Sequence, residues 1–323
     1  MGDMSQRGSR ASRPIYGTGS RPPIISVVIP TIGRATLRAA IDSVLRQSMV
    51  PDEIVVVNDS PSQSSVTSML AVEVVEEFTG GSRGPSAARN QGVARAQGDY
   101  IAYLDDDDLW FPHHIESAMQ SFARSPNLDL YSCTMIQPHT NGLEISSKVT
   151  YQGRQALVDF FYGRYCWAGR RRSIPPSTWV FRRTTCDLPM DEGLFVREDI
   201  WELIKLHQRG RVLFQSARCG GAWFSDPART LARDTPETLL DWAHRLEGIT
   251  KGAGTRFLVG VVGRLYARQG MADEWTDLIG RVPRDWKISW DYQLVCTVEG
   301  VVATATRRLA PCRRFSALRR GLH

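Results

Sequence analysis

No apolar run in this sequence approaches the roughly 18 residues that a membrane-spanning helix needs, so none is expected. The first residues carry Arg, Ser, Gly and Pro without an apolar core segment, so a secretory signal is not expected either. Cysteine is sparse. Cys133, Cys166, Cys186, Cys219, Cys296 and Cys312 include no C-x-x-C pair, so their spacing gives neither a zinc site nor a redox motif, and a cytoplasmic location fits. No internal repeat is found. What remains is an ordinary globular composition, 42% hydrophobic and 23% charged over 323 residues, enough for one α/β domain with a smaller appendage. The formal charge is +6, but much of the excess lies in residues 7 to 21 and 307 to 320, so no nucleic-acid partner is expected.

Met1 to Pro23 has almost no large apolar side chains and cannot offset its ordering entropy by burial, so a disordered tail is expected there. A catalytic domain is expected over 24–234, a helical extension over 235–306 and a basic tail over 307–323. Ile24 to Ile29, Glu53 to Val57 and Tyr100 to Leu104 read as buried strands. Between the first two, Leu37, Ala40, Ile41, Val44 and Leu45 repeat at helical spacing. Pro112 starts a helix that buries Ile115, Ala118, Met119 and Phe122, and Leu128 to Met135 resumes as a strand. Residues 137 to 176 read as irregular, Thr178 to Phe181 as a strand, and Glu198 to Gln208 as a helix burying Ile200, Leu203, Ile204 and His207. Thr235-Pro236 opens a further helix. Strands alternating with helices give a mostly parallel sheet, and such sheets bind ligands beyond the carboxyl ends of their strands. Three polar sites fall there: Pro30-Thr31, Asp59, and the acidic run Asp105 to Asp108.

Four consecutive aspartates repel one another and raise some of their own pKa values, so something should neutralise them. A hard divalent cation does so with one or two carboxylates, substrate phosphates and water. In an extended segment Asp105 and Asp107 point to one side, Asp106 and Asp108 to the other. The structural alternative is an acidic helix cap at Asp108.

Four blocks carry a resemblance. They are Ile25-Ser26-Val27-Val28-Ile29-Pro30-Thr31; Glu53-Ile54-Val55-Val56-Val57-Asn58-Asp59-Ser60; Gly84-Pro85-Ser86-Ala87-Ala88-Arg89-Asn90-Gln91-Gly92; and Gly98-Asp99-Tyr100 through Asp108. In order and spacing they resemble the family 2 glycosyltransferases of GT-A fold, over roughly residues 24 to 230. The resemblance implies a Rossmann-like sheet flanked by helices and a nucleotide-diphosphate sugar donor, by default a UDP-sugar. It implies that Pro30, Thr31 and Asp59 line the nucleoside pocket, with the Asp59 carboxylate accepting from the base, and that Arg89 lies near the nucleotide. Asp105 and Asp107 match the acids of the D-x-D motif, which hold Mn²⁺ or Mg²⁺, with Asp105 and Asp106 on the donor side.

Sugar transfer with inversion also needs one base for the acceptor hydroxyl. Gly193 to Leu203 resembles the family's Glu-Asp element, which implies Asp199 as general base, with Glu198 and Trp201 on the acceptor side. The structural alternative is ordinary acidic charge at a helix N-terminus. The chain departs from the pattern at Asn58, at Ile32-Gly33 in place of an aromatic and polar pair, and at Arg197, where a small residue is common. No Q-x-x-R-W element occurs, which speaks against a processive synthase. A sugar-phosphate nucleotidyltransferase would need a Gly-rich phosphate loop, of which Pro30 to Arg34 is a poor version, and a non-catalytic nucleotide-sugar-binding protein would not need Asp105, Asp107 and Asp199.

Two readings of the C-terminal stretch stand. Arg307, Arg308, Arg313, Arg314, Arg319 and Arg320 form either a peripheral contact with the inner membrane face that brings a lipid-linked acceptor, or a solvated tail after a helical cap or homo-oligomer contact. The charges do not fall on one face, which favours the second. The acceptor class stays open between a glycan, a lipid-linked glycan and a small molecule.

Overall fold

The computed structural model describes residues 21–68, 73–139, 142–163, 172–185, 189–224, 234–283, 285 and 286. The chain forms two compact units, Met1–Ser146 with Ile174–Phe224, and Ser147–Ser173 with Ser225–His323. Part of the stretch expected to be irregular, 147–173, thus belongs to the second unit.

The first unit is built on one sheet. Its strands are β1 (Ile25–Thr31), β2 (Glu53–Asn58), β3 (Val75–Phe78), β4 (Tyr100–Tyr103), β5 (Leu109–Trp110), β6 (Leu130–His139), β7 (Gly142–Ile145), β8 (Val180–Arg182) and β9 (Leu213–Ala222). Its helices are α1 (Leu37–Leu45), α2 (Pro85–Arg95), α3 (His114–Arg124) and α5 (Glu198–Gln208), and α4 (Leu157–Tyr162) lies in the second unit. The strand order is β3-β2-β1-β4-β8-β6-β9-β5, with β7 paired to β6. The first four strands are parallel, as expected. Beyond β4 the sheet is mixed, because β8 runs antiparallel to both β4 and β6.

The pleat distributes the core. Val27, Ile29, Ile54, Val56, Ala102 and Leu104 pack with Leu37, Ala40, Ile41 and Val44 of α1 and Ile115, Ala118, Met119 and Phe122 of α3. Leu45, expected among them, is 37% exposed because it sits at the last turn of α1. On the opposite face α2 comes so close that a Cβ on Gly92 would lie 2.2 Å from Val28 Cγ1, so only glycine fits there. The helix α5 matches its expected bounds and buries Leu203 and Ile204. Its inward row continues through Glu202 and Leu206, while Ile200 and His207 are only half-buried.

Residues 137 to 176 are more ordered than expected, since they contain β7 and α4. In the second unit Phe257 meets Tyr162 edge-on at 5.5 Å, and Arg256 donates to Tyr162 O and Asp159 Oδ1. The helix Pro236–Ile249 opens with a reciprocal Thr235–Thr238 capping box, as the Thr-Pro signal foretold. Among the described residues no helix is long and apolar enough to cross a membrane. Most of the N-terminal tail and the whole basic segment from Arg307 lie outside the described residues.

Candidate active site

Strand order reverses at β1: β2 and β3 lie to one side and β4 to the other. The carboxyl ends of β1 and β4 therefore flank the crevice where parallel sheets of this kind bind ligands. Thr31 ends β1, and the acidic run follows β4.

The run turns rather than extends, with the Asp108 N–H donating to Asp105 O at 3.1 Å. The expected alternation nevertheless holds. Asp106 and Asp108 are 0% and 2% exposed, whereas the Asp105 and Asp107 side chains retain 29% and 32%. Asp106 accepts from Thr31 Oγ1 at 2.5 Å and from Arg34 Nη1. Asp108 accepts from Ser177 Oγ at 2.5 Å and from the Phe224 N–H at 3.1 Å. Asp108 is therefore not a helix cap, and α3 begins later, at His114. Burial, reinforced by the Asp105 charge, pushes the Asp108 carboxyl well above the ordinary range.

Asp105 and Asp107 form the open face. Desolvation, then the Asp105 charge, raises the Asp107 pKa, with Arg34 at 3.5 Å working against it. Asp105 accepts from Arg89 Nη2 at 2.7 Å, and the same guanidinium gives Nη1 to Glu198 Oε1 at 3.1 Å. Arg89 is 3% exposed, and its Cζ lies 5.8 Å from the Tyr103 ring centroid. Burial works against the Arg89 charge, but the Asp105 and Glu198 carboxylates outweigh it and push its pKa up. Arg89, expected near the nucleotide, bridges two carboxylates here, with its buried Nε left without a partner.

That bridge joins the acidic run to the start of α5. Arg197, just before Glu198, sits at φ +61, a left-handed conformation that costs a side-chain-bearing residue energy. Asp199 is partly buried, and its carboxyl is pushed up to about 7, first by desolvation and then by Glu198. Trp201, half-buried in the same turn, donates its N–H to Arg197 O at 3.0 Å.

Asp59 makes a second corner at the end of β2. Its Oδ1 accepts from Thr79 Oγ1 and the Arg83 N–H, and its Oδ2 from the Gly84 N–H. Three of about four acceptor positions on the carboxylate are thus spent on the loop that leads into α2. Gly84 holds φ +93, and a Cβ there would lie 2.9 Å from Phe195 Cε1. Pro30 is buried within β1 opposite Val57, and Thr31 is 3% exposed.

The structure therefore brings Thr31, Arg89, Asp105, Asp106, Asp107, Glu198 and Asp199 into one connected cluster. Asp59 and Gly84 stand at the adjoining corner. Sequence reasoning missed Ser177, whose hydroxyl donates to Asp108 and accepts from the Asp105 N–H at 3.1 Å. No periodic or motif signal marks it. Arg34 was read only against a phosphate loop, yet it pairs with Asp106 and Asp107.

Among the described residues no three His, Cys, Asp or Glu side chains are placed to hold a metal by themselves. Mg²⁺ and Mn²⁺ sites with phosphate substrates do not need three, because one or two carboxylates with phosphate oxygens and water suffice. Asp105 and Asp107 fit that role: both are open, and the carboxylate crowding that adds to desolvation in raising the Asp107 pKa is what a cation relieves.

The profile of glycosyl transferase family 2 matches residues 26–187. An uncharacterised glycosyltransferase of Rickettsia felis is 32% identical over 111 residues, 33% of this chain and 18% of that protein. One from Rickettsia typhi is 33% identical over 110 residues, 33% of this chain and 35% of that protein. This chain thus matches about a third or less of either relative's length. The crystal structure of Staphylococcus aureus TarS residues 1–349 in complex with UDP-GlcNAc has a TM-score of 0.56 at 18% identity, covering 80% of both chains, and shares the GT-A-like fold. With the four sequence blocks folded into one crevice and the family profile spanning three of them whole and most of the first, the chain belongs to glycosyl transferase family 2.

Proposed function

We propose that the protein is an inverting glycosyltransferase that moves a sugar from a nucleotide diphosphate to an acceptor hydroxyl. The observation that carries this reading is the Asp105–Arg89–Glu198 bridge, which holds the D-x-D run and the Glu-Asp helix start in one site. The TarS structure with UDP-GlcNAc supports a UDP-sugar as donor.

In this reading the acceptor oxygen attacks the anomeric carbon as the bond from that carbon to the diphosphate oxygen breaks. The hydroxyl proton passes to the Asp199 carboxylate, whose pKa near 7 suits a base working at neutral pH. A Mg²⁺ or Mn²⁺ held by Asp105 and Asp107 would neutralise charge on the departing diphosphate. Arg89 fixes Asp105 and Glu198, so the acids stay placed without reorganising during the reaction. Ser177 anchors the run from below through Asp108 and the Asp105 N–H.

The test is release of nucleoside diphosphate from a panel of nucleotide sugars with Mn²⁺ and with chelator. Metal-dependent release is expected, and Asp199→Asn should lower it by about 10²–10⁴-fold while nucleotide binding persists. Undiminished release by that variant removes Asp199 from the role. Pyrophosphate formation from a sugar phosphate and a nucleoside triphosphate would replace the reading with a nucleotidyltransferase.

A further inference from the structure

Phe195 has no part in the chemistry above, yet its ring lies beside the site. It is 51% exposed. It is not a loose surface residue, because its Cε1 and Cδ1 lie 2.9 and 3.0 Å from where a Cβ on Gly84 would be. Gly84 is in turn tied by its N–H to Asp59 Oδ2 at 2.8 Å. Three residues further on, Glu198 is tied through Arg89 to Asp105. Phe195 therefore stands over the corner at the end of β2, on the segment that enters α5 at the acid cluster.

The spacing of the two corners narrows what the ring can meet. Asp59 follows β2 and Asp105 follows β4, with β1 between them. Two strand spacings put the corners about 10 Å apart, a reach that a ribose and its first phosphate can bridge. With a diphosphate at the Asp105–Asp107 face, the group at the Asp59–Gly84 corner is the flat base. The chain also lacks an aromatic residue directly after Thr31: Ile32, 48% exposed, stands there instead. A half-exposed ring that meets the Gly84 position along its Cδ1–Cε1 edge has a π-face to offer a heteroaromatic base.

We propose that Phe195 is the stacking platform for the nucleobase of the donor, a specificity-determining contact reaching the site from the α5 side. This rests on the nucleotide-sugar reading, and it adds that the base packs on the face of Phe195 as well as meeting the Asp59 corner.

The test uses the full chain and equilibrium binding of UDP, GDP and dTDP in the presence of Mn²⁺, followed by saturation-transfer NMR on the nucleotide that binds. Phe195→Ala should weaken that nucleotide and its monophosphate alike by on the order of tenfold and abolish saturation transfer to the base protons. Phe195→Tyr should restore both, and Leu143→Ala, on exposed β7, should change neither. Unchanged affinity with intact base-proton transfer in a folded Phe195→Ala protein overturns the proposal. Loss confined to the complete nucleotide sugar, with the monophosphate unaffected, also overturns it, because the ring would then serve the sugar. Failure of the unmodified protein to bind any of the three nucleotides sinks the donor reading on which it rests.

Discussion

The two faces of the acidic run carry the same residue type and different work. Asp106 and Asp108 are buried and spent on Thr31, Arg34, Ser177 and the Phe224 N–H. Asp105 and Asp107 keep about a third of their side-chain surface. Identical carboxylates one position apart are thus divided by the turn into a pair that holds the loop together and a pair that faces the crevice. The lesson is that a motif of acids is not four copies of one function: burial and partners decide which member can meet a ligand.

The division breaks most plainly under substitution of the open pair. Asp107→Asn should cost turnover about 10²–10³-fold with the melting temperature nearly unchanged, since the side chain is a third exposed and its contact with Arg34 is a loose 3.5 Å. Parallel kinetics and thermal unfolding check this, and a large loss of stability would place Asp107 with the buried pair. Asp106→Ala should do the reverse first. It strands Arg34 and the Thr31 hydroxyl, and breaking a buried pair costs about 3–5 kcal/mol. Arg34 keeps 28% exposure, so roughly 2–4 kcal/mol is the discounted expectation, a fall in melting temperature on the order of 5–15 °C. A variant as stable as the parent would refute the structural role.

The smallest expected effect sharpens the contrast through pH. Asp199 has a folded-state pKa near 7, above its ordinary value near 3.8. Its stability contribution is therefore full below about pH 4 and lost as pH rises through 7. Asp199→Asn should melt a few degrees higher than the parent at pH 8 and nearly level with it at pH 4. The kcat/KM of the parent should rise with pH to a plateau, with a midpoint near 7 as the base loses its proton. An Asn variant whose margin over the parent is no larger at pH 8 than at pH 4 would contradict the raised pKa.

Much of this was legible in the sequence where periodicity speaks. The bounds of α5, the apolar rows of α1 and α3, and the two-sided display of the acids all follow from spacing alone. The bridge did not, because Arg89 and Glu198 are 109 residues apart and nothing local in either marks the other. Glu202 carries no mark of burial in the sequence, yet its helix position turns it inward, where Lys205 at 2.7 Å pairs with it. Asp59 was read as a base contact, and three of its hydrogen bonds go to the loop that shapes that corner. In each case the residue type was visible and the partner was not, since partners come from crossovers that no local pattern encodes.

The central claim is that the open pair grips a divalent cation together with a diphosphate. Calorimetric titration of Mn²⁺ into the full chain, with and without UDP, addresses it without relying on turnover. Binding that tightens with UDP and is lost in Asp107→Asn but kept in Asp199→Asn is the predicted result. Equal Mn²⁺ affinity in the parent and in Asp107→Asn, whether or not UDP is present, would contradict it.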